Sequence, residues 1–251
     1  MRGSGQTRAM ATQLWGVVIA ALDPIAQAEW WAGALGWSWE IEDDTDGVVH
    51  CDDPSVPQLL FERVSDPKTA LKNRLHLDLA SISAADQAAT VERLLGAGAS
   101  RVDVGQADAP WVVLADPEGN EFCVLEPRDR YQDAPGLASI VLDVNDLDAM
   151  AEFWTAATGY SIGEHFPTGR SLHAPHGRPP DLDLVRVPEP KTLKGRAHLD
   201  VHPPGDGNHQ AEVARLTALG ATPADVGQGP DVSWVVLADP EGNEFCVLRP
   251  Q

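Results

Sequence analysis

The chain has 251 residues, 18 basic and 38 acidic, for a formal net charge of −20, and 43% of its residues are hydrophobic. That apolar fraction supports a packed core rather than disorder, while so acidic a surface repels phosphate backbones and anionic headgroups, so neither nucleic acid nor a membrane is an expected partner. No uncharged apolar run approaches the roughly 20 residues that span a bilayer, and three cysteines, an odd number, give no disulfide framework, which makes a reducing cytoplasm the expected setting.

Residues 1–12 read as an N-terminal extension. Its basic start and the apolar stretch that follows are faintly like a signal peptide, but the same apolar segment recurs mid-chain as structure. Residues 16–21 form a short apolar, β-branched run, read as a strand. Asp23 suits an N-cap, Pro24 the first helical position and Gly36 the left-handed stop, so a helix runs to about Leu35. Strands follow at 37–41, 48–51 and 58–61. The pattern restarts with a strand at 75–79, a helix at 84–95 and strands at 101–104, 111–115 and 121–126. Asp116-Pro117-Glu118-Gly119 joins the last two as a turn. The polar stretch 128–136 reads as a linker. In the second half, 170–180 reads as a loop, 181–187 as a strand and 207–219 as a helix.

The chain repeats itself. Residues 111–127 (WVVLADPEGNEFCVLEP) and 234–250 (WVVLADPEGNEFCVLRP) are identical at 16 of 17 positions, at an offset of 123. Residues 73–79 (NRLHLDL) match 195–201 (GRAHLDV) at an offset of 122. The reading is a domain duplication, with copies at 13–127 and 137–251.

Each copy is therefore βαβββ twice. Paired βαβββ units with an Asp-Pro-x-Gly-Asn turn before the final strand resemble the vicinal oxygen chelate superfamily, and WVVLADPEGNEFCVL with HLDL upstream looks most like its glyoxalase-like branch. The resemblance implies an α+β fold of tandem glyoxalase-like domains, each with two βαβββ units forming a cupped mixed sheet and helices outside. It also implies a metal site drawn from three places. The middle ligand, usually His, falls on His76 and His198. The last-strand ligand, usually Glu, falls on Cys123 and Cys246. The first-strand ligand, usually His or Gln, falls on Gly16 and Ser139. One usual ligand type of three is kept in each copy.

His76 and His198 read either as ligand-contacting or acid/base groups, or as strand histidines hydrogen-bonded in a polar cavity. Asp78 and Asp200 lie two residues on, hence on the same strand face, and could rebuild a metal or acid/base site. Cys123 and Cys246 read first as small buried hydrophobes and second as ligands or nucleophiles. Trp111 and Trp234 are candidates to stack on a flat ligand; Trp30, Trp31 and Trp154 read as core. Glu121 and Glu244 read as solvated, as do the presumed loop histidines 165, 173, 176 and 209.

The expected function is binding of an apolar or aromatic small molecule in the manner of bleomycin-resistance relatives, without the usual metal triad and with no cofactor. If a divalent metal does bind, its donors are His76, Cys123, His198 and Cys246. The alternative is a lyase, isomerase or dioxygenase-like enzyme using the strand histidines with Asp78 or Asp200, with or without such a metal. A monomer with the two domains paired within the chain is expected, a homodimer being the alternative.

Overall fold

The structure, a computed structural model, describes residues 12–42, 45–106, 108–203, 207–229 and 231–250. Four βαβββ units follow one another. The first comprises β1 (Gln13–Ala21), α1 (Pro24–Leu35), β2 (Ser38–Glu42), β3 (Asp46–His50) and β4 (Gln58–Arg63). The second comprises β5 (Leu75–Leu79), α2 (Ala84–Gly96), β6 (Ser100–Arg101), β7 (Val112–Ala115) and β8 (Glu121–Val124). A single 3-10 turn at Asp129–Tyr131 leads to the third: β9 (Leu137–Val144), α3 (Leu147–Thr158), β10 (Ser161–Phe166), β11 (Gly169–His173) and β12 (Asp181–Arg186). The fourth comprises β13 (Ala197–His202), α4 (His209–Ala218), β14 (Thr222–Pro223), β15 (Val235–Ala238) and β16 (Glu244–Val247).

The caps of α1 are those the sequence suggests. The Asp23 side chain accepts from the Ala26 amide, Pro24 opens α1, and Gly36 ends it at φ 72°, a backbone region that glycine enters at no steric penalty. Ser83, Asp146 and Asn208 cap the other three helices in the same way.

The units are shared between two eight-stranded sheets. One has the order β14-β15-β16-β13-β1-β4-β3-β2 and joins the first unit to the fourth; the other has the order β10-β11-β12-β9-β5-β8-β7-β6 and joins the second to the third. Each sheet does consist of two βαβββ units. The pairing of units within one copy needs correction, because the two units of a sheet come from different copies. The short linker explains this: after β8 the chain has only to pass β5 to lay β9 antiparallel against it. Within a copy, the two units meet instead through a core. Trp31 of α1 lies 5.1 Å, edge to face, from Phe122 of β8, and Trp154 of α3 lies 5.4 Å from Phe245 of β16.

The Asp-Pro-Glu-Gly-Asn turn locks that core. Asp116 accepts from the Glu118 and Asn120 amides through Oδ1, and from Trp31 Nε1 (3.2 Å) and Asn120 Nδ2 through Oδ2. Glu118 reaches across to accept from the Leu22 and Asp23 amides at the start of α1. Asp239 and Glu241 repeat the arrangement on Trp154, Asn145 and Asp146. The longest repeated motif is thus a structural clasp.

Two element readings change. Strand β11 covers 169–173, the first part of the expected loop, because that segment finds ladder partners on both sides, in β10 and β12. Strand β6 holds only Ser100 and Arg101, where β7 offers partners. Among the described residues, no helix is long and apolar enough to cross a membrane.

Candidate functional site

Each sheet presents a concave polar face, called here the terminal cup (first and fourth units) and the central cup (second and third). In the terminal cup, the period-two geometry of β13 puts His198 and Asp200 on one face, as expected. Asp200 lies opposite Gly16 on one side and Cys246 on the other. His198 Nε2 is 3.4 Å from Asp200 Oδ1 and 3.3 Å from Cys246 Sγ. In the central cup, Asp78 lies between Ser139 and Cys123. His76 Nε2 is 3.5 Å from Asp78 Oδ1, and the Ser139 hydroxyl is 3.5 Å from Asp78 Oδ2. In both cups, the His, Asp and Cys donor atoms lie within 4.8 Å of one another.

Burial governs the ionisation of these groups. It pushes His76 down to about 3, with Lys72 adding to the effect, so the ring is neutral. It raises Asp78 to about 7, helped by Asp183. It also raises the Cys123 and Cys246 thiols, with Asp78 and Asp200 respectively adding to the rise. A thiol held protonated is a poor nucleophile and gives a metal its sulfur only by losing the proton, so burial by itself favours the packing reading of the cysteines.

The donor set fits the metal that the resemblance implies. Zinc accepts imidazole nitrogen, thiolate and carboxylate together, and bonds of about 2.0–2.3 Å at tetrahedral angles put ligand atoms roughly 3.3–3.6 Å apart. Asp78 Oδ1 and Asp200 Oδ1 are buried without a hydrogen-bond partner, as carboxylate oxygens facing a cation would be. Counting ligand types by family position finds one donor of three; the sheet supplies three because the aspartate two residues along joins its histidine.

The cups differ in access. In the central cup, the linker folds inward. Tyr131 is 4% exposed and packs with Cys123, Leu125 and Ala138 against Ala80, Trp111 and Val113. Arg130 holds Asp181 through two bonds of 2.9 and 2.6 Å and donates to the Gly177 carbonyl. Asp181 and Asp183 are 1% and 4% exposed. The Ser171 hydroxyl donates to Asp183 at 2.5 Å, and His173 sits 2.9 Å from Glu164 and 3.1 Å from Asp181. In the terminal cup, the counterparts Gln58 and Leu60 are half-buried. The His198 side chain is 19% exposed against 9% for His76. A cavity of about 330 Å³ opens at this end of the molecule, lined by Leu14, Trp15, Val56, Tyr160, His176 and His202 among others. Trp15 lies where β1 bulges between Leu14 and Gly16.

Of the remaining candidates, Trp111 and Trp234 are half-buried, and Trp111 donates to Gln106 at 2.7 Å. Gly16 and Ser139 do face the cups. Glu121 and Glu244 are not solvated: Lys68 and Lys191 reach them at 2.8 and 2.6 Å, because the segments before β5 and β13 fold back over the sheet. His165 and His173 lie on β10 and β11, and His209 opens α4 with Nε2 2.9 Å from the Val247 carbonyl. Sequence reasoning missed Arg130, Tyr131, Asp181, Asp183 and Glu62. The last had a visible signal, since the offset of 123 pairs it with Val185. Burial raises its carboxyl, with His198, Asp200, Asp46 and Lys194 all close enough to act on it.

Comparison with known proteins agrees with this architecture. A family model described as a glyoxalase-like domain matches residues 16–125 and again 139–248. A Caenorhabditis briggsae protein, Glyoxalase 1, is 27% identical over 161 residues, which cover 59% of this chain and 53% of that protein, so the match spans about half the curated relative's length. Glyoxalase I from Zea mays superposes with a TM-score of 0.67 at 15% identity, over 95% of this chain and 92% of that one. A putative dioxygenase from Bacillus subtilis superposes with a TM-score of 0.62 at 12% identity, over 96% and 86%. At such identities the superpositions speak for the fold alone. With the family model matched twice, over most of its length, the chain belongs to the glyoxalase-like domain family.

Proposed function

We propose that the chain binds an apolar or aromatic small molecule in its terminal cup, as a cytoplasmic monomer in the manner of bleomycin-resistance proteins. The observation that supports this reading is the inequality of the cups: one carries a cavity of about 330 Å³ beside Trp15 and Tyr160, while the other is filled by Tyr131. That volume is at the small end of ligand pockets, about 300–1,000 Å³. Tryptophan quenching across a library of small aromatic compounds tests it. Saturable quenching that Trp15→Phe or Trp234→Phe diminishes is expected; quenching unchanged by both substitutions places the ligand elsewhere and refutes the reading.

A second reading, enzymatic use of the same cup, is favoured by the convergence of His198, Asp200 and Cys246. These three residues would hold a divalent cation, which when bound polarises a carbonyl or acidifies a water. His198 and Asp200 would orient the ligand, and the Glu62 carboxyl, raised by burial, would hold or move a proton beside them. Elemental analysis of protein purified without a chelating resin tests this. Near one zinc, iron, manganese or nickel per chain supports it, and well under one leaves the binding reading alone.

A further inference from the structure

The cavity of about 330 Å³ is built where the two copies meet. One part of its wall is the start of β1. There Gln13 pairs with His202 of β13, and Trp15 is the extra residue of the bulge between Leu14 and Gly16. A bulge takes such a residue out of the ladder and re-aims its side chain. The other sheet bulges at the equivalent point with Ala138, so the ring there is a feature of this end. The rest of the wall comes from Tyr160, just after α3, and from two loops, 54–56 of the first copy and 175–176 of the second.

Among the described residues, none that lines the cavity is acidic, and none is basic apart from His176 and His202. The charges nearest in sequence are spent on each other. Asp53, before Pro54, meets Arg178, two residues after His176, at 2.8 Å, and the Ser55 hydroxyl donates to Asp53 at 2.7 Å. The cavity therefore suits an uncharged ligand. Three polar groups are left to meet it, and neighbours fix where their protons sit. His176 Nδ1 accepts from the Arg178 amide at 3.2 Å, which leaves the ring proton on Nε2 as a donor. His202 Nδ1 lies 2.8 Å from the Pro203 carbonyl oxygen. That oxygen can only accept, so Nδ1 carries the proton and Nε2 of the neutral ring is an acceptor. Tyr160 is 5% exposed, and its hydroxyl has no hydrogen-bond partner among the described residues. Burial raises its phenol, with Asp181 adding to the rise, so it stays protonated and donates. Two donors and one acceptor thus stand around one cavity, beside the ring of Trp15.

We propose that this cavity takes an uncharged aromatic amide, its ring against Trp15, its carbonyl oxygen accepting from Tyr160 and His176, and its N–H donating to His202 Nε2. An amide oxygen has two lone pairs beside an N–H, which is the complement of that set. The volume is about twice the roughly 150 Å³ that admits benzene, which leaves room for the amide group. This rests on the small-molecule reading above and names the ligand class for it.

The experiment titrates the full chain with benzamide, acetophenone and benzoate, by calorimetry and tryptophan fluorescence. Acetophenone keeps the ring and the carbonyl but lacks the N–H; benzoate lacks the N–H and brings a charge. The expected result is one saturable benzamide site, about fivefold or more tighter than either comparator, since one net hydrogen bond is worth about that much. His202→Phe should bring benzamide down to the acetophenone level and leave acetophenone unchanged. Tyr160→Phe, which keeps the packed ring, should weaken benzamide and acetophenone alike. The two positions lie on different elements, so either variant, once folded, decides by itself. Equal affinity for benzamide and acetophenone, preference for benzoate, or benzamide binding indifferent to either substitution in a folded variant overturns the amide proposal while the small-molecule reading stands. If none of the three binds, a library of aromatic compounds that still quenches tryptophan saturably overturns the amide proposal alone, and one that does not refutes the small-molecule reading with it.

Discussion

Glu62 and Asp143 stand at the same level of the two sheets on different strands. Glu62 on β4 faces Ala20 on β1, whereas in the other sheet Val185 on β12 faces Asp143 on β9. Each sheet therefore carries one carboxylate at this level, moved sideways by one strand. The move changes its neighbours. Asp143 is taken by Lys72 at 2.5 Å, while Glu62 feels His198 more strongly than Lys194, the counterpart of Lys72. A residue that is a plain ion-pair partner in one cup becomes part of the polar floor in the other.

This asymmetry predicts where a cation binds. Titration with cobalt(II), whose thiolate complexes absorb in the near ultraviolet, should show a band that Cys246→Ser abolishes and Cys123→Ser leaves in place, because the linker covers only the central cup. Loss of a direct donor should weaken binding by more than the roughly 10–100-fold typical of outer-shell changes. A band that tracks Cys123 instead would reverse the assignment of the open cup.

The linker clasp should be energetically distinct. Arg130 is partly exposed while Asp181 is fully buried, with side-chain exposures of 28% and 0%. Arg130→Ala leaves that buried carboxylate with only His173, 3.1 Å away, beside it, and should cost up to about 3–5 kcal/mol in urea denaturation. Arg130→Ala with Asp181→Asn should recover part of the loss. A double variant no more stable than the single one would mean that Arg130 acts through packing alone.

The Asp-Pro-Glu-Gly-Asn clasp gives a prediction free of any ligand. Asp116→Ala strands the Trp31 indole N–H and the Asn120 amide in the core. It should cost at least about 3 kcal/mol, several donors being orphaned at about 1 kcal/mol or more each. Asp239→Ala should cost a similar amount through Trp154. A loss below about 1 kcal/mol in either would show that the turn holds without its aspartate.

Asp78 should make stability fall as pH rises. Its carboxyl ionises near 3.8 when unfolded but only at about 7 in the fold. Between these values the folded chain holds a proton that the unfolded chain has lost, so the contribution is complete below 3.8 and disappears through about pH 7. In metal-stripped protein, the stability difference between wild type and Asp78→Asn should decline across that window. A flat difference would show that Asp78 is ionised throughout.

The sequence by itself determined the duplication, the βαβββ units, the helix caps and the placement of His76 with Asp78 and His198 with Asp200, because each depends on local spacing: period two along a strand, a capping side chain, a turn glycine. It also separated Trp31 and Trp154, which form the core, from Trp111 and Trp234, which stay half-buried. Only the tertiary structure decided that each cup takes one unit from each copy, since strand pairing across some 60 residues or more leaves no local pattern. Only it revealed that Tyr131, in a stretch legible merely as polar linker, packs inside the central cup, whereas among the described residues the other end of the molecule keeps a cavity of about 330 Å³. The two cups differ here because the segment between the copies is buried against the central sheet, a packing choice that no local spacing encodes.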